Sequence, residues 1–316
     1  MTTTAQPRTP VRTPEKRSRK SQLAAQQNRM AFWMLMPAAL AVFGIIIYPV
    51  LRTLIISFFQ VDSALATETP FVGLHNYTAV LTDPGFWATV ARTLYFTIVS
   101  TGLELLLGLG LAALLNVDLR GRWLFRAIVV IPWAVPTIVN AAMWKGIFNA
   151  QYGALNGVLT QLGLLDEYKA WLGDPILALN AVVVADVWKT TPLVAFFLLA
   201  GLSSIPKDLY EAAKLDRAST WRTFRSITLP LLVPSIAIVL ILRTVEAFKV
   251  FDLIYGMTRG GPANGTQTIA YYAYTTAFSD QEYGIGSAIS YLIVLVILAL
   301  STIYLRLLRR SEMSLL

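Results

Sequence analysis

Four charged residues alternate in sign at three-residue steps: Arg243, Glu246, Lys249 and Asp252. Carboxylates accept hydrogen bonds from hydroxyl groups and ammonium groups donate to them, so such a stripe could hold a polar ligand. It could equally be a structural ion ladder, because charges three apart on a helix can pair. Other polar residues also interrupt apolar runs. Asp186 and Lys189 flank Trp188, Glu104 stands alone, and Asn140, Trp144 and Lys145 close a further run. The Asp186–Lys189 spacing lets the two charges neutralise each other within one helical turn. Glu104 needs a partner on a neighbouring helix or another subunit. Trp188 is placed to stack on a ligand, whereas Phe32, Trp33, Trp123 and Trp144 suit anchors at a membrane interface. Catalysis finds little support. There is no Cys, the lone His75 falls in a polar loop, and no nucleophile–base set or metal cluster is visible.

The elements that must carry these residues are membrane spans. The chain has 316 residues, 56% hydrophobic and 14% charged, with a mean hydropathy of +0.59. Soluble domains carry about 25% charged residues. A span needs about 20 mostly apolar residues, and six runs qualify: Phe32–Leu51, Leu94–Leu115, Leu124–Trp144, Ile176–Leu198, Leu231–Ile254 and Ile285–Leu305. The first lacks a small-x-small site after it, so it reads as a retained helix rather than a cleaved signal. The expected fold is therefore an all-α membrane protein with six transmembrane helices.

Basic residues orient it. They crowd the N-terminal tail (Arg8, Arg12, Lys16, Arg17), the second loop (Arg120, Arg122, Arg126), the fourth loop (Lys207, Lys214, Arg217, Arg222) and the C-terminus (Arg306, Arg309, Arg310). The other loops carry few. Both termini and the fourth loop are thus expected in the cytoplasm. The net charge of +8 follows from this topology and does not call for nucleic acid. Residues 1–30 read as a basic tail without regular structure that contacts membrane lipid. Residues 31–310 form the membrane domain and 311–316 a short tail.

The fourth loop has structure of its own. Ser203–Ile227 reads as two short helices with a bend between them. Pro206 suits a first helical turn, and Asp208 and Glu211 favour the positive end of the helix dipole. Leu209, Ala212, Ala213 and Asp216 share one face. Ser219 can cap a second helix bearing Trp221 and Phe224 on one face. By itself this could be an amphipathic hairpin on the membrane or a docking element.

The same stretch, "EAAKLDRASTWRTFRSITLP" from Glu211 to Pro230, resembles the cytoplasmic loop of permease subunits of binding-protein-dependent ABC importers. That loop has the form EAA–x2–DGA–x5–F–x2–I–x–LP. Glu211, Ala212, Ala213, Asp216, Ala218, Phe224, Ile227, Leu229 and Pro230 match it. "FVGLHNYTAVLTDPGFW" and "VFDLIYGMTRGGP" resemble the carbohydrate branch of the maltose and glycerol-phosphate type. The likeness runs over residues 30–310.

The resemblance implies a type I ABC importer permease fold and a role as half of a sugar pathway. The sugar it implies is a disaccharide, trehalose first. It makes 203–230 the coupling loop, inserted into a cleft of an ATPase subunit. It implies a second permease subunit, an ATPase dimer that binds ATP and Mg, and an extracytoplasmic sugar-binding protein. It also puts sugar contacts on the helix that carries Glu246, Lys249 and Asp252. Asn140 and Trp188 are further pathway candidates by their place within the spans alone. No cofactor is expected in this chain, which has no G-x-x-x-x-G-K-[ST] nucleotide cradle. One position departs from the pattern. Arg217 stands where the family has Gly, a residue favoured where φ is positive. Either the bend is made differently or Arg217 contacts an acidic partner surface. A secondary transporter is the competing reading. It would explain the intramembrane acids but not the Glu211–Pro230 loop.

Overall fold

The computed structural model describes residues 15–63, 65, 67–117 and 120–313. These residues are helical, apart from turns, loops and one antiparallel bridge between Phe59 and Phe71. They divide into two compact units, Met1–Ile55 and Ile56–Leu316. The first carries α1 (Glu15–Ala41), a wide π turn over Val42–Ile47 and the start of α2 (Tyr48–Ile56). Gln26–Ile56 is long and apolar enough to cross a membrane. Of the basic tail expected over 1–30, residues 1–14 lie outside the described residues, and the chain is helical from Glu15 onward. That stretch is rich in Lys, Arg, Gln, Leu and Ala, which are good helix formers. It extends a helix already nucleated by the apolar run, so each added residue gains a hydrogen bond without a new nucleus.

The second unit opens with α3 (His75–Thr82) and α4 (Pro84–Leu115). One local device starts both of its longest inner helices. Asp83 precedes Pro84, and its carboxylate accepts from the Gly85 and Phe86 N–H groups at 2.9 and 3.0 Å. Asp174 precedes Pro175 and does the same for Ile176 and Leu177 of α8 (Pro175–Ser204). Proline loses nothing at a first helical position, and the aspartate satisfies otherwise orphaned donors. The Gly85 hydrogen bond, helped by one from the Tyr272 hydroxyl, holds the Asp83 carboxyl below the usual carboxylate range.

Between these helices lie α5 (Arg122–Ala134), α6 (Thr137–Ile147) and α7 (Ala154–Gln161). The expected third span, Leu124–Trp144, is not one helix. Its two halves, α5 and α6, meet at a bend of 90°. Pro136 explains the break. It pushes Val135 out of the helical region, to φ −68° and ψ 127°. The 13 residues of α5 rise about 20 Å at 1.5 Å per residue, short of a hydrocarbon core of about 30 Å. Among the described residues, five helices are long enough to span, and the number reaches six only if the bent pair counts as one.

After α8 come α9 (Lys207–Leu215), α10 (Thr220–Thr223) and, through a π turn at Phe224–Thr228, α11 (Leu229–Phe248). The expected fifth span, Leu231–Ile254, also ends early. Lys249, at φ −101° and ψ 19°, leaves the helix, and α12 restarts at Asp252 and runs to Met257. α13 (Ile269–Tyr274) and α14 (Tyr283–Met313) complete the unit. Its core forms where α4, α8 and α11 meet, with Phe96, Val182, Leu198, Leu232 and Phe248 buried. Gly108 permits the close approach of α4 to α8, since a Cβ there would stand 2.6 Å from Val194 Cγ1. Small residues serve this purpose where membrane helices pack.

Candidate functional site

Charged side chains of the three central helices meet: Glu104 of α4, Asp186 of α8 and Arg243 of α11. Arg243 of α11 is 4% exposed and Glu104 of α4 is fully buried. The guanidinium Nε donates to Glu104 Oε2 at 2.5 Å and Nη2 to Glu104 Oε1 at 2.8 Å. Nη2 also donates to Asp186 Oδ2 of α8 at 2.9 Å, and Nη1 to Glu246 Oε2 at 2.8 Å. Thr190 adds a hydroxyl donor 2.6 Å from Glu104 Oε1. Charges at this depth are tolerated only when paired and hydrogen-bonded.

Asp186 was expected to pair with Lys189 one turn along its own helix. Its ion-pair partner is Arg243 instead. A guanidinium fork offers two-point hydrogen bonding at fixed geometry, and the packing of α8 on α11 brings it within reach. The expected ladder is likewise only half formed. Arg243 and Glu246 pair, but the helix ends at Phe248, so Asp252 belongs to the next element.

The break turns the ladder into a cavity. About 340 Å³ of space lies among Trp133, Thr137, Asp186, Lys189, Thr190, Arg243, Glu246, Lys249, Phe251 and Asp252. Glu246, Lys249 and Asp252 are exposed and share this wall. Carboxylates, ammonium groups, two hydroxyls and two aromatic rings surround one small volume. Such a surface can exchange hydrogen bonds with a polyhydroxylated molecule and lay an apolar ring face against it. Asn140 and Trp188 lie outside the cavity lining. Asn140 is fully buried and donates from Nδ2 to the Ala185 carbonyl at 3.2 Å. Trp188 packs edge-on against Trp144, with ring centroids 5.9 Å apart. Sequence reasoning missed Thr190, Phe251 and the linking role of Arg243. The available signal was one lone acid in α4, Glu104, without a basic partner at helical spacing.

The second region is the loop after α8. At the end of α9 the Lys214 carbonyl accepts from the Arg217 N–H at 3.0 Å, while the Ala213 carbonyl accepts from the Ala218 N–H at 2.9 Å. This pair of bonds closes a helix end around one left-handed residue. That residue is Arg217, with φ 51°. The bend is therefore made in the same place and with the same handedness that glycine favours, at the cost of an arginine in a left-handed conformation. Ser219 caps α10 by accepting from the Arg222 N–H at 3.3 Å. Trp221 and Phe224 stack at 5.8 Å with planes 27° apart. Glu211 and Ala212 are exposed on α9, and Ala213 is buried. Leu209, Ala212, Ala213, Asp216 and Ala218 line a recess of about 460 Å³ with Arg222, Thr223, Ser226 and Ile227. Leu215 is 85% and Trp221 68% exposed.

Residues 104–314 match the family described as "Binding-protein-dependent transport system inner membrane component". The trehalose/maltose transport system permease protein MalF of Thermococcus litoralis is 46% identical over 286 residues, covering 90% of this chain and 96% of its own length. The trehalose transport system permease protein SugA of Mycobacterium tuberculosis is 37% identical over 281 residues, covering 89% of each chain. Among solved structures, a chain of a bacterial ABC transporter involved in the import of the acidic polysaccharide alginate superposes with a TM-score of 0.80. It is 21% identical and covers 92% of this chain and 99% of that one.

Proposed function

We propose, from the premise that this chain belongs to the family of binding-protein-dependent transport system inner membrane components, that it forms half of a sugar pathway ending at the Glu246–Asp252 cavity. The chain is a multi-pass membrane protein and a carbohydrate ABC importer permease, a transport component rather than an enzyme. The observation that carries the finer reading is the cavity itself, where Glu246, Lys249 and Asp252 converge because α11 breaks at Lys249. Trehalose is the proposed substrate, and the names of the archaeal and mycobacterial relatives support it. Both termini lie in the cytoplasm, in keeping with the basic residues that flank the spans. A second permease subunit closes the pathway, and an extracytoplasmic sugar-binding protein delivers the sugar.

Coupling runs through 203–230. Glu211, Ala212, Ala213, Asp216, Arg217, Ala218 and Phe224 form the surface that docks on a partner ATPase dimer, where ATP and Mg are bound. The uncovered Leu215 and Trp221 side chains support this assignment, because exposed apolar groups around a recess mark protein contact. The test is ATP hydrolysis by the purified complex, with its binding protein, across a panel of disaccharides. Stimulation by trehalose above the other sugars is expected, and equal or absent stimulation by trehalose overturns the substrate assignment. Glu246→Gln and Lys249→Met are expected to raise the half-saturation concentration for transport. Unchanged kinetics in both would remove the cavity from the pathway.

A further inference from the structure

Glu104 forms no part of the cavity wall, and its side chain is fully buried. It nonetheless takes the largest share of Arg243. Its two oxygens accept from Nε and from Nη2, one edge of the guanidinium fork. Two parallel bonds to one edge hold the plane of a guanidinium as well as its position. With that edge held, the remaining hydrogens of Nη2 and Nη1 are aimed at Asp186 and Glu246. Those two carboxylates do line the cavity.

Geometry separates the roles. Glu104 takes two of the guanidinium's bonds and lies outside the cavity lining. Asp186 and Glu246 take one bond each and line the cavity. Each gives one oxygen to Arg243 and keeps acceptor capacity for a hydroxyl. Thr190 fixes Glu104 in turn through its hydroxyl. A chain of contacts thus runs from α4 to the cavity wall, from Glu104 to Arg243 and from Arg243 to both cavity acids, with Thr190 of α8 bracing Glu104.

We propose that Glu104 is a positioning residue for sugar recognition, which sets the orientation of Asp186 and Glu246 in the cavity through Arg243. The inference rests on the reading of that cavity as the sugar site. Glu104 never touches the sugar. It decides where two acceptors point, and so acts on affinity more than on the rate of the transport cycle.

The experiment uses the complete importer, with its partner subunits and binding protein, in membrane vesicles. Uptake of radiolabelled trehalose and maltose is measured over a concentration series for Glu104→Gln, Glu104→Asp, Glu246→Gln and Lys249→Met. Loss of one charge-assisted hydrogen bond corresponds to about tenfold in affinity. Glu104→Gln is expected to raise the half-saturation concentration by about that factor and to lower the maximal rate by less. Glu104→Asp keeps the charge but withdraws it by one methylene, and should fall between Gln and wild type. If Glu104→Gln does not assemble, the raised half-saturation of Glu104→Asp carries the test. An assembled Glu104 variant with unchanged half-saturation overturns the proposal, as does a fall in maximal rate alone. So does failure of both variants to assemble, which would make Glu104 a structural ion-pair partner. If Glu246→Gln and Lys249→Met also leave uptake unchanged, the cavity reading itself is lost. If they shift it and Glu104→Gln does not, only the positioning role is.

Discussion

The Arg243 cluster and the loop after α8 depart from their surroundings in opposite directions. In the cluster, charged groups sit among apolar helices, and each charge finds its partner within the chain. In the loop, apolar groups sit among polar ones, and Leu215 and Trp221 remain uncovered. The first departure is complete within one subunit, and the second suits the docking surface proposed above. A polar group left unpaired in an apolar place costs far more than an apolar group left in water. Internal ion pairs therefore have to close as the chain folds, whereas a docking surface can wait for its partner.

Removing a cluster partner should break this contrast most severely. Arg243→Met leaves Glu104 and Asp186 without their cation, at a cost of about 3–5 kcal/mol. The chain is expected to lose assembly with its partners, read as the yield of intact complex after purification. A normal yield would mean that the cluster is not closed within the subunit. In the loop the opposite pattern is expected. Glu211→Arg should leave insertion and yield intact but abolish sugar-stimulated ATP hydrolysis, because a reversed charge in a docking cleft is unpaired. Wild-type uptake by this variant would end the docking assignment.

Smaller changes sharpen the comparison. Gly108→Ala places a methyl group 2.6 Å from Val194 Cγ1 and 3.3 Å from the Ala195 backbone nitrogen. Overpacking of this kind costs about 1–3 kcal/mol, and should lower the thermal unfolding midpoint of the complex without changing sugar preference. The smallest effect is expected at Arg217. Glycine there relieves a left-handed conformation that costs an L-residue about 1–2 kcal/mol. If Arg217 serves only the bend, Arg217→Gly is neutral or slightly stabilising. If its charge meets an acidic ATPase surface, the same change weakens subunit retention, more so at low salt. Retention measured at two ionic strengths decides between them.

What could be read from the sequence follows the same division. The loop was legible almost residue by residue. The Ser219 cap, the bend at Arg217 and the shared face of Trp221 and Phe224 all depend on neighbours within a few positions. The cluster was legible only as a set of misplaced charges. Asp186 has a cation three residues away in sequence, yet bonds to one 57 residues away, and helix packing alone decides between them. The break of α11 was hidden as well, because "VEAFKVFDLIYGM" carries no Pro or Gly near Lys249. The bend after α5 was visible as Pro132 and Pro136. It went unread because membrane helices often tolerate proline.

That bend has a thermodynamic consequence for transport. Backbone that leaves helical geometry at membrane depth is stable only where it is buried in protein or bathed in water. The residues either side of the turn, Trp133 and Thr137, line the cavity, so the backbone of the bend can be solvated from that side. Under the proposed function, a sugar there would exchange hydration water for hydrogen bonds to Asp186, Glu246 and Lys249. A site of that kind would hold its passenger loosely. Loose holding suits a pathway, since whatever binds there must also depart.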